Sequence, residues 1–403
     1  MDGPARAILV VVAGGVLGSC ASPAPVAPPA PVVSAPEWNA VFERGEGWIG
    51  GDGAATVALP DHRVLWLFGD SGVGRVENGR YGPGSTLVNN AAAVHDAGDV
   101  PPEAASVRFA WGRPSVEGKQ TALFVPAHSD EWYWPAGGGA VFHQNGPKLV
   151  LFMSRIYHPR PQDDSIWNFD GRGSDLLWIE NPGPDPGAWT AQAVPTPGAA
   201  SAEGPKPDRR ISWGTSAWAR DTGRSTELYV FGVDTTDPMN KKAILALVDG
   251  AGARDVSKWR FWVAGAPGHW SPNLSDAAAV AENVMDEFSV SAVGAPRGPA
   301  SRFVMVYSEP MLGRRVMART APHITGPWGP PVAVYTCPEP GEDARLMVYS
   351  AKAHPELSRE GELLISYCVN SSDFWHMLSD ASIYRPRFIR VPIAALPEPP
   401  KGP

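Results

Sequence analysis

The sequence predicts an all-β protein, a five-bladed β-propeller, preceded by a signal sequence and a Pro/Ala-rich tether. Gly and Pro each occupy 43 of the 403 positions, and charged residues make up only 19% of the chain. This composition favours many short strands joined by tight turns over a helical bundle or a coiled coil. From residue 47 onward no segment keeps an apolar helical period, whereas one hairpin pattern recurs five times.

Each copy of the hairpin pattern consists of a Gly/Ala-rich strand, a polar turn and a strongly apolar strand. Further β-like stretches lie between the copies, so four strands per unit and a propeller are expected. The small residues suit innermost strands that converge near an axis. A β-sandwich with insertions is the alternative, but it does not predict five similar hairpins. The copies cover residues 53–70, 138–155, 214–234, 288–309 and 347–368, and the intervening stretches are 176–179, 243–248, 316–320 and 388–391.

The N-terminus carries the features of an export signal. Residues 7–18 form an apolar run too short to span a bilayer, as in a secretory signal. The segment ending at Cys20 resembles the lipobox of bacterial lipoproteins, in which the cysteine is lipidated; cleavage nearby, with Cys20 incidental, is the alternative. Residues 21–37 are rich in Pro and Ala and are predicted to form a disordered tether. The propeller is predicted to follow at residues 38–395, and a disordered tail at residues 396–403. We therefore expect an exported protein, either secreted or held at the cell envelope by a lipid anchor alone.

The net charge limits the classes of binding partner, and the cysteine content limits the possible disulfides and metal sites. The net charge of −8 gives no attraction to nucleic acid, and a monomer is expected. Besides Cys20 the chain has only Cys337 and Cys368, and an oxidising compartment favours a disulfide between them. The absence of closely spaced Cys and His residues argues against a zinc site.

The first hairpin places two carboxylates together. In GWIGGDGAATVALPDHRVLWLFGDSG, a turn at 60–63 makes Asp52 and Asp70 near-partners at the open end, with backbones roughly 5 Å apart. Two carboxylates this close do not both ionise readily, so one pKa rises. One group then acts as proton donor and the other as base or nucleophile, as in glycoside hydrolysis. The alternative is that both residues cap turns at strand ends.

The propeller hypothesis also predicts which residues share the rim with this pair. Glu287 precedes a first strand and Glu309 follows a second strand, and they are the candidates for a further catalytic acid. Aromatic faces beside polar groups describe a carbohydrate site, although each Trp could instead pack between blades. His354 could contact substrate, hold a central ion or water, or be structural. The expected substrate-binding residues are Trp134, Arg155, Trp213, Asp234, Lys352, His354 and Asn370.

Several motifs together resemble a known family. The sequence resembles a group of exported bacterial propeller proteins long catalogued as a domain of unknown function. The resemblance is carried by the segments GGDGAATVALPDHRVLWLFGD, AKAHPELS, ELLISYCVNSS and YRPRF. Some members are grouped with glycoside hydrolases as endo-acting D-arabinanases. The resemblance, over 38–392, implies a five-bladed propeller, with Asp52 and Asp70 as catalytic residues and a third acid from a later blade. Ser71 stands where many relatives have Thr, and the Trp- and Pro-rich middle blades indicate a groove of their own.

We therefore predict a glycoside hydrolase-like propeller that cleaves a polysaccharide, with an arabinofuranoside polymer as one candidate. The chemistry requires no cofactor, and a structural Ca²⁺ in the central channel is compatible with converging acids. The alternatives are a non-catalytic surface lipoprotein that binds carbohydrate or protein, and an enzyme of another chemistry on the same scaffold.

Overall fold

The computed structural model describes residues 31–98, 100–143, 145–160, 162–163, 165, 167–201, 207–265, 269–294 and 302–401. The predicted signal, Cys20 and residues 21–30 of the predicted tether lie outside the described residues.

Strands dominate the described chain. They are β1 (Val33–Ser34), β2 (Glu46–Gly51), β3 (Ala55–Leu59), β4 (Arg63–Phe68), β5 (Ser71–Glu77), β6 (Arg80–Tyr81), β7 (Thr86–Val88), β8 (Ala91–Asp96), β9 (Arg108–Ala110), β10 (Glu131–His143), β11 (Pro147–Tyr157), β12 (Asp170–Glu180), β13 (Ala191–Pro195), β14 (Ile211–Asp221), β15 (Thr226–Asp234), β16 (Lys242–Asp249), β17 (Arg260–Trp262), β18 (Trp270–Ser271), β19 (Ala279–Glu282), β20 (Phe288–Val293), β21 (Arg302–Ser308), β22 (Arg315–Ala321), β23 (Val332–Thr336), β24 (Leu346–Ala353), β25 (Glu362–Ser371) and β26 (Pro386–Pro392).

The α-helices of the described chain are short. They are α1 (Pro36–Val41), α2 (Glu339–Glu342) and α3 (Phe374–Ser379), and the remaining helical segments are single 3₁₀ turns. In the part of the chain that the structure describes, no helix combines the length and the apolar character needed to span a membrane.

The strands of the described residues form six antiparallel sheets. A small sheet has the order β2-β5-β6, with β7 also beside β5. The other five each begin with one of the predicted hairpins, and the hairpin pairings are confirmed in every case. We call them repeat sheets one to five. Their orders are β3-β4-β8-β9, β10-β11-β12-β13, β14-β15-β16-β17-β18 with β19 beside β16, β20-β21-β22-β23, and β24-β25-β26-β1.

The first strands of all five repeat sheets line one channel. Its cavity measures about 320 Å³ and is walled by residues of β3, β10, β14, β20 and β24. The strands approach closely because they carry small residues: a Cβ on Gly138 would lie 2.4 Å from the carbonyl oxygen of Gly214. The protein is thus all-β with a propeller-like arrangement of sheets.

The core consists of apolar layers between neighbouring sheets. Every residue of β4 is buried, and successive side chains face opposite neighbours. Trp66 packs in a cluster with Phe388 of sheet five, whereas Leu65 packs with Leu149 of sheet two. A strand covered on both faces is apolar throughout, which explains the continuous hydrophobic runs in the sequence.

Both ends of the folded body extend beyond the predicted boundaries. Val33 and Ser34 pair with β26, so the structured part begins inside the predicted tether. At the other end, Leu396 is buried in the cluster that contains Val391, and the carbonyl oxygen of Pro397 accepts a hydrogen bond of 2.8 Å from Thr320. The prediction of a disordered tail from residue 396 is therefore wrong for these residues, because an apolar side chain and a backbone acceptor fix them.

The predicted disulfide is absent, and both cysteines are free and buried. The phenol of Tyr367 lies against Cys337. Adjacent strand residues face opposite sides, so Cys368 points away from Cys337, toward Gly53 of sheet one. Strand alternation therefore keeps the two thiols apart.

Candidate active site

A cavity of about 1130 Å³ opens at the end of the repeat sheets where β3 begins. Asp52, Asp70 and Glu287 all line it, as the sequence predicts. Strands of repeat sheets two, three and five contribute to its wall, and segments that adjoin the strands of sheets one and four complete it, so the cavity lies over the convergence of the sheets.

Hairpin register brings Asp52 and Asp70 together. The ladder of β3 and β4 runs from Ala55 opposite Leu67 to Leu59 opposite Arg63 without irregularity. It continues beyond the strands, where the Gly69 amide donates to the Asp52 carbonyl oxygen at 2.9 Å. Gly69 is required by space, since a Cβ there would lie 2.4 Å from Asp52 Oδ1.

Two tyrosines hold the Asp52 carboxyl. The Tyr349 hydroxyl donates to Asp52 Oδ2 at 2.6 Å, and the Tyr384 hydroxyl hydrogen-bonds the same carboxyl. Asn370 in turn donates to the Tyr349 oxygen at 3.2 Å. Burial, together with the negative charge of Asp70, raises the pKa of Asp52 to about 7 despite these hydrogen bonds.

Neutral donors surround Asp70 instead. The indole Nε1 of Trp134 donates to Asp70 Oδ1 at 2.7 Å, and Asn89 Nδ2 donates to the same oxygen at 3.3 Å. Burial raises the pKa of Asp70 to about 6, and these two donors oppose the rise because they stabilise the ionised form.

Glu287 completes the acid cluster through an ion pair. Lys352 Nζ and Ser350 Oγ each donate to Glu287 Oε1 at 2.9 Å. The Lys352 side chain is only 3% exposed, so it pairs with Glu287 from within the protein and, contrary to the prediction, does not line the large cavity. Ser350 sits in a β-bulge of β24 with φ of 56°, a strained conformation for a residue with a side chain.

Trp134 belongs to an aromatic wall on the sheet-two side of the cavity. Its ring meets Phe169 edge-on at 5.0 Å and Trp132 at 5.9 Å. All three line the cavity. The wall offers apolar faces next to the carboxylates, as sugar recognition requires.

Arg155 and Trp213 are not at the site, contrary to prediction. Arg155 lies inside β11, where its guanidinium forms a two-pronged ion pair with buried Glu131, at 2.8 and 2.9 Å. Trp213 is fully buried between sheets two and three and donates to the Pro197 carbonyl oxygen. A bulge follows Trp213 in β14, so a position counted from the apolar run does not mark the side that faces the cavity.

Asp234 and Glu309 also lie away from the cavity, contrary to the prediction. Asp234 accepts hydrogen bonds from Thr236 and pairs with Arg209 at 2.6 Å; burial opposes these contacts, but they hold its pKa below the usual value. Glu309 pairs with Arg315 on the next strand, and that guanidinium lowers the pKa of Glu309. Neither residue lines the cavity, whereas Glu287 does.

His354 is a core residue. Its ring bridges the hydroxyls of Thr56 and Ser366, at 2.8 Å each, and lies 5.1 Å from the Trp66 ring. Burial and the charge of Lys352 lower the pKa of His354 to about 3, so the imidazole is neutral. Contrary to the prediction, His354 does not line the large cavity, because β24 ends at Ala353 and the ring packs between sheets five and one.

Sequence reasoning missed the residues that hold Asp52. Tyr384 lies within the YRPRF motif and Tyr349 precedes a motif already singled out, so proximity to those motifs was the available signal. Nothing in the sequence marked the bulge at Ser350. Among the described residues, no group of three or more His, Cys, Asp and Glu side chains is arranged to hold a metal ion.

The arrangement of Asp52 and Asp70 supports proton transfer. Asp52 and Asp70 repel each other in a partly buried cluster, so the pair holds one proton over a range of pH near neutrality. One protonated and one ionised carboxyl side by side can supply an acid and a base to the same substrate.

Several solved structures are similar to this chain. The structure of a putative hydrolase from Bacteroides ovatus is similar with a TM-score of 0.66 and 24% identity, over 89% of this chain and 90% of that one. The catalytic domain of a GH62 α-L-arabinofuranosidase from Coprinopsis cinerea aligns with a TM-score of 0.42 and 11% identity, over 87% of this chain and 96% of that one. An α-L-arabinofuranosidase from Lactobacillus brevis aligns with a TM-score of 0.44 and 10% identity, over 86% and 91%. None of the curated proteins compared with the chain matches it in sequence.

A family model described as a domain of unknown function, DUF5005, matches residues 36–393. This range contains the acid cluster, the aromatic wall and, apart from β1, all strands of the five repeat sheets. The chain therefore belongs to the DUF5005 family.

Proposed function

We propose that the protein is a glycoside hydrolase that cleaves a polysaccharide in the large cavity. The observation that carries the proposal is the Asp52–Asp70 pair: burial raises the pKa values of both carboxyls, and the negative charge of Asp70 raises that of Asp52 further. Such a pair supplies an acid and a base near neutral pH, the two groups that glycosidic cleavage requires.

The surroundings of the two carboxyls assign their roles. Asp52 has the more strongly raised pKa and the negative charge of Glu287 nearby, so it is the proton donor to the leaving oxygen. Asp70 is ionised with the support of Trp134 and Asn89, so it activates water or attacks the anomeric carbon. Tyr349 and Lys352 position Asp52 and Glu287 for this chemistry.

The cavity supports a polymeric substrate. About 1130 Å³ exceeds the volume of an ordinary small-molecule pocket, and an aromatic wall flanks the acids. An arabinofuranoside polymer is the first candidate, because the motifs resemble those of endo-acting D-arabinanases.

We further infer that the five repeat sheets are the blades of a five-bladed propeller. We also infer that the segment before residue 31 exports the folded body and tethers it at the cell envelope.

The test is a screen of residues 31–403 against arabinans and galactans, with release of reducing ends as the readout. Asp52→Asn and Asp70→Asn should each lower kcat by about 10²- to 10⁴-fold while the polymer still binds.

Asp61→Asn is the matched control. Asp61 lies in the turn of the same hairpin with its side chain 67% exposed, and it does not line the cavity. Its backbone has φ of 61°, which Asn also tolerates, so this variant should keep full turnover. Polymer binding by the wild type without any turnover would instead establish a carbohydrate-binding protein.

A further inference from the structure

Exposed aromatic side chains are concentrated around the mouth of the large cavity. Among the described residues, the Trp, Phe and Tyr side chains classed as exposed are Trp167, Phe169, Phe374 and Trp375. Three of these line the cavity, and Trp375 is the sequence neighbour of one of them. Large apolar groups left in water at one place mark a binding surface.

The pair Phe374–Trp375 lies on the sheet-five side, away from the aromatic wall. The two rings meet edge-on at 5.9 Å, and Trp375 is 75% exposed. The Asp52 carboxyl connects to this side through Tyr349 and then Asn370, which is four residues before Phe374. The acids therefore lie between the aromatic wall of sheet two and this second aromatic pair.

The short helix that carries the pair is held rigidly. Asp373 Oδ1 accepts from the backbone amides of Trp375 and His376, at 3.0 and 3.3 Å. Met377 is buried, and the His376 ring hydrogen-bonds the Ser371 hydroxyl. The apolar anchor is thus Met377, so the fold does not account for the exposed rings of Phe374 and Trp375.

We propose that Phe374 and Trp375 form a second sugar-binding subsite, which stacks on units of the polysaccharide distant from the bond at Asp52 and Asp70. The inference rests on the proposed function for the identity of the ligand. Continuity supports it, because Phe374 lines the same cavity as the acids. The pair presents preorganised aromatic surface, which binds sugar C–H faces with little loss of side-chain entropy.

The experiment is affinity electrophoresis of the protein in gels that contain linear arabinan or β-1,3-galactan, in the Asp52→Asn background so that cleavage does not interfere. Trp375→Ala and Phe374→Ala should each raise the dissociation constant for the retarding polymer about five- to tenfold, equivalent to about 1 kcal/mol of lost stacking. Trp375→Phe keeps an aromatic face and should restore most of the affinity. Val116→Ala, a fully exposed loop position outside the cavity, is the control and should change nothing.

The outcomes separate this inference from the proposed function. Unchanged affinity in Trp375→Ala and Phe374→Ala, or no retardation of the parent protein by either polymer, overturns the subsite. Turnover by the wild type alongside unchanged affinity in the variants overturns the subsite and leaves the glycosidase in place. Weakened affinity in the variants, with no turnover by the wild type, supports the subsite and rejects the glycosidase.

Discussion

Asp52 and Asp70 differ in what surrounds them, and that difference decides which one holds the proton. Both are partly buried, but Asp52 also faces the negative charges of Asp70 and Glu287. Asp70 accepts two hydrogen bonds from neutral donors, which favour its ionised form. The pair therefore carries its single proton mainly on Asp52.

The pH dependence of hydrolysis should report this pair. The proposed mechanism requires Asp52 protonated and Asp70 ionised, so the rate should fall as pH rises through about 7 and also as pH falls through about 6. We expect a narrow bell-shaped profile of kcat/KM with its maximum between these values. Asp61→Asn should leave the profile unchanged, and a rate that stays constant from pH 5 to 9 would contradict the assignment.

Substitution of His354 tests whether this residue stabilises the core. His354→Ala removes a buried ring and leaves the hydroxyls of Thr56 and Ser366 without that partner. The free energy of unfolding should fall by about 2–4 kcal/mol, measured by urea denaturation. His323→Ala, at an exposed histidine, is the control; equal stability of the two variants would show that His354 is not part of the core.

At the scale of single elements, irregularities in strands decide which side chains reach the cavity. The strands β3 and β20 pair with their hairpin partners without a register shift, and Asp52 and Glu287, which precede these strands, line the cavity. The strand β14 has a bulge after Trp213, and there the prediction fails. A bulge adds a residue on one strand and so changes which side chains share a face.

Strand alternation also predicts the state of the cysteines. Cys337 and Cys368 face different sides of β25, so the native protein should not react with a thiol reagent, and burial raises the pKa of Cys337 to about 12. Denaturation without reductant should expose two thiols in residues 31–403, counted by Ellman's reagent. Finding no free thiol after denaturation would indicate that Cys337 and Cys368 form a disulfide.

At the scale of the whole molecule, the N-terminal segment joins the last repeat sheet to the first. β1 adds the outer strand to sheet five, and Trp38 of α1 packs at 6.1 Å from the Trp66 ring and 5.7 Å from the Phe388 ring. The segment therefore closes the ring of sheets, although its sequence reads partly as tether.

Loss of the packing around Trp38 should lower the free energy of unfolding. Trp38→Ala leaves a cavity between sheets one and five and should lower the free energy of unfolding by about 3–5 kcal/mol, measured by urea denaturation. Trp375→Ala, the same change at an exposed position, should alter stability by less than about 0.5 kcal/mol. Similar losses in both variants would show that α1 is not part of the closure.

The sequence by itself determined the hairpins, their small inner strands and the meeting of Asp52 with Asp70, because these depend on local alternation and on one turn. Only the tertiary structure decided which groups surround the pair. Tyr349 lies 297 positions from Asp52 in the chain, and Lys352 reaches Glu287 from another sheet across a bulge. Contacts of this kind depend on how sheets pack around the channel and on one-residue changes in register. Neither of these leaves a pattern in the order of residues.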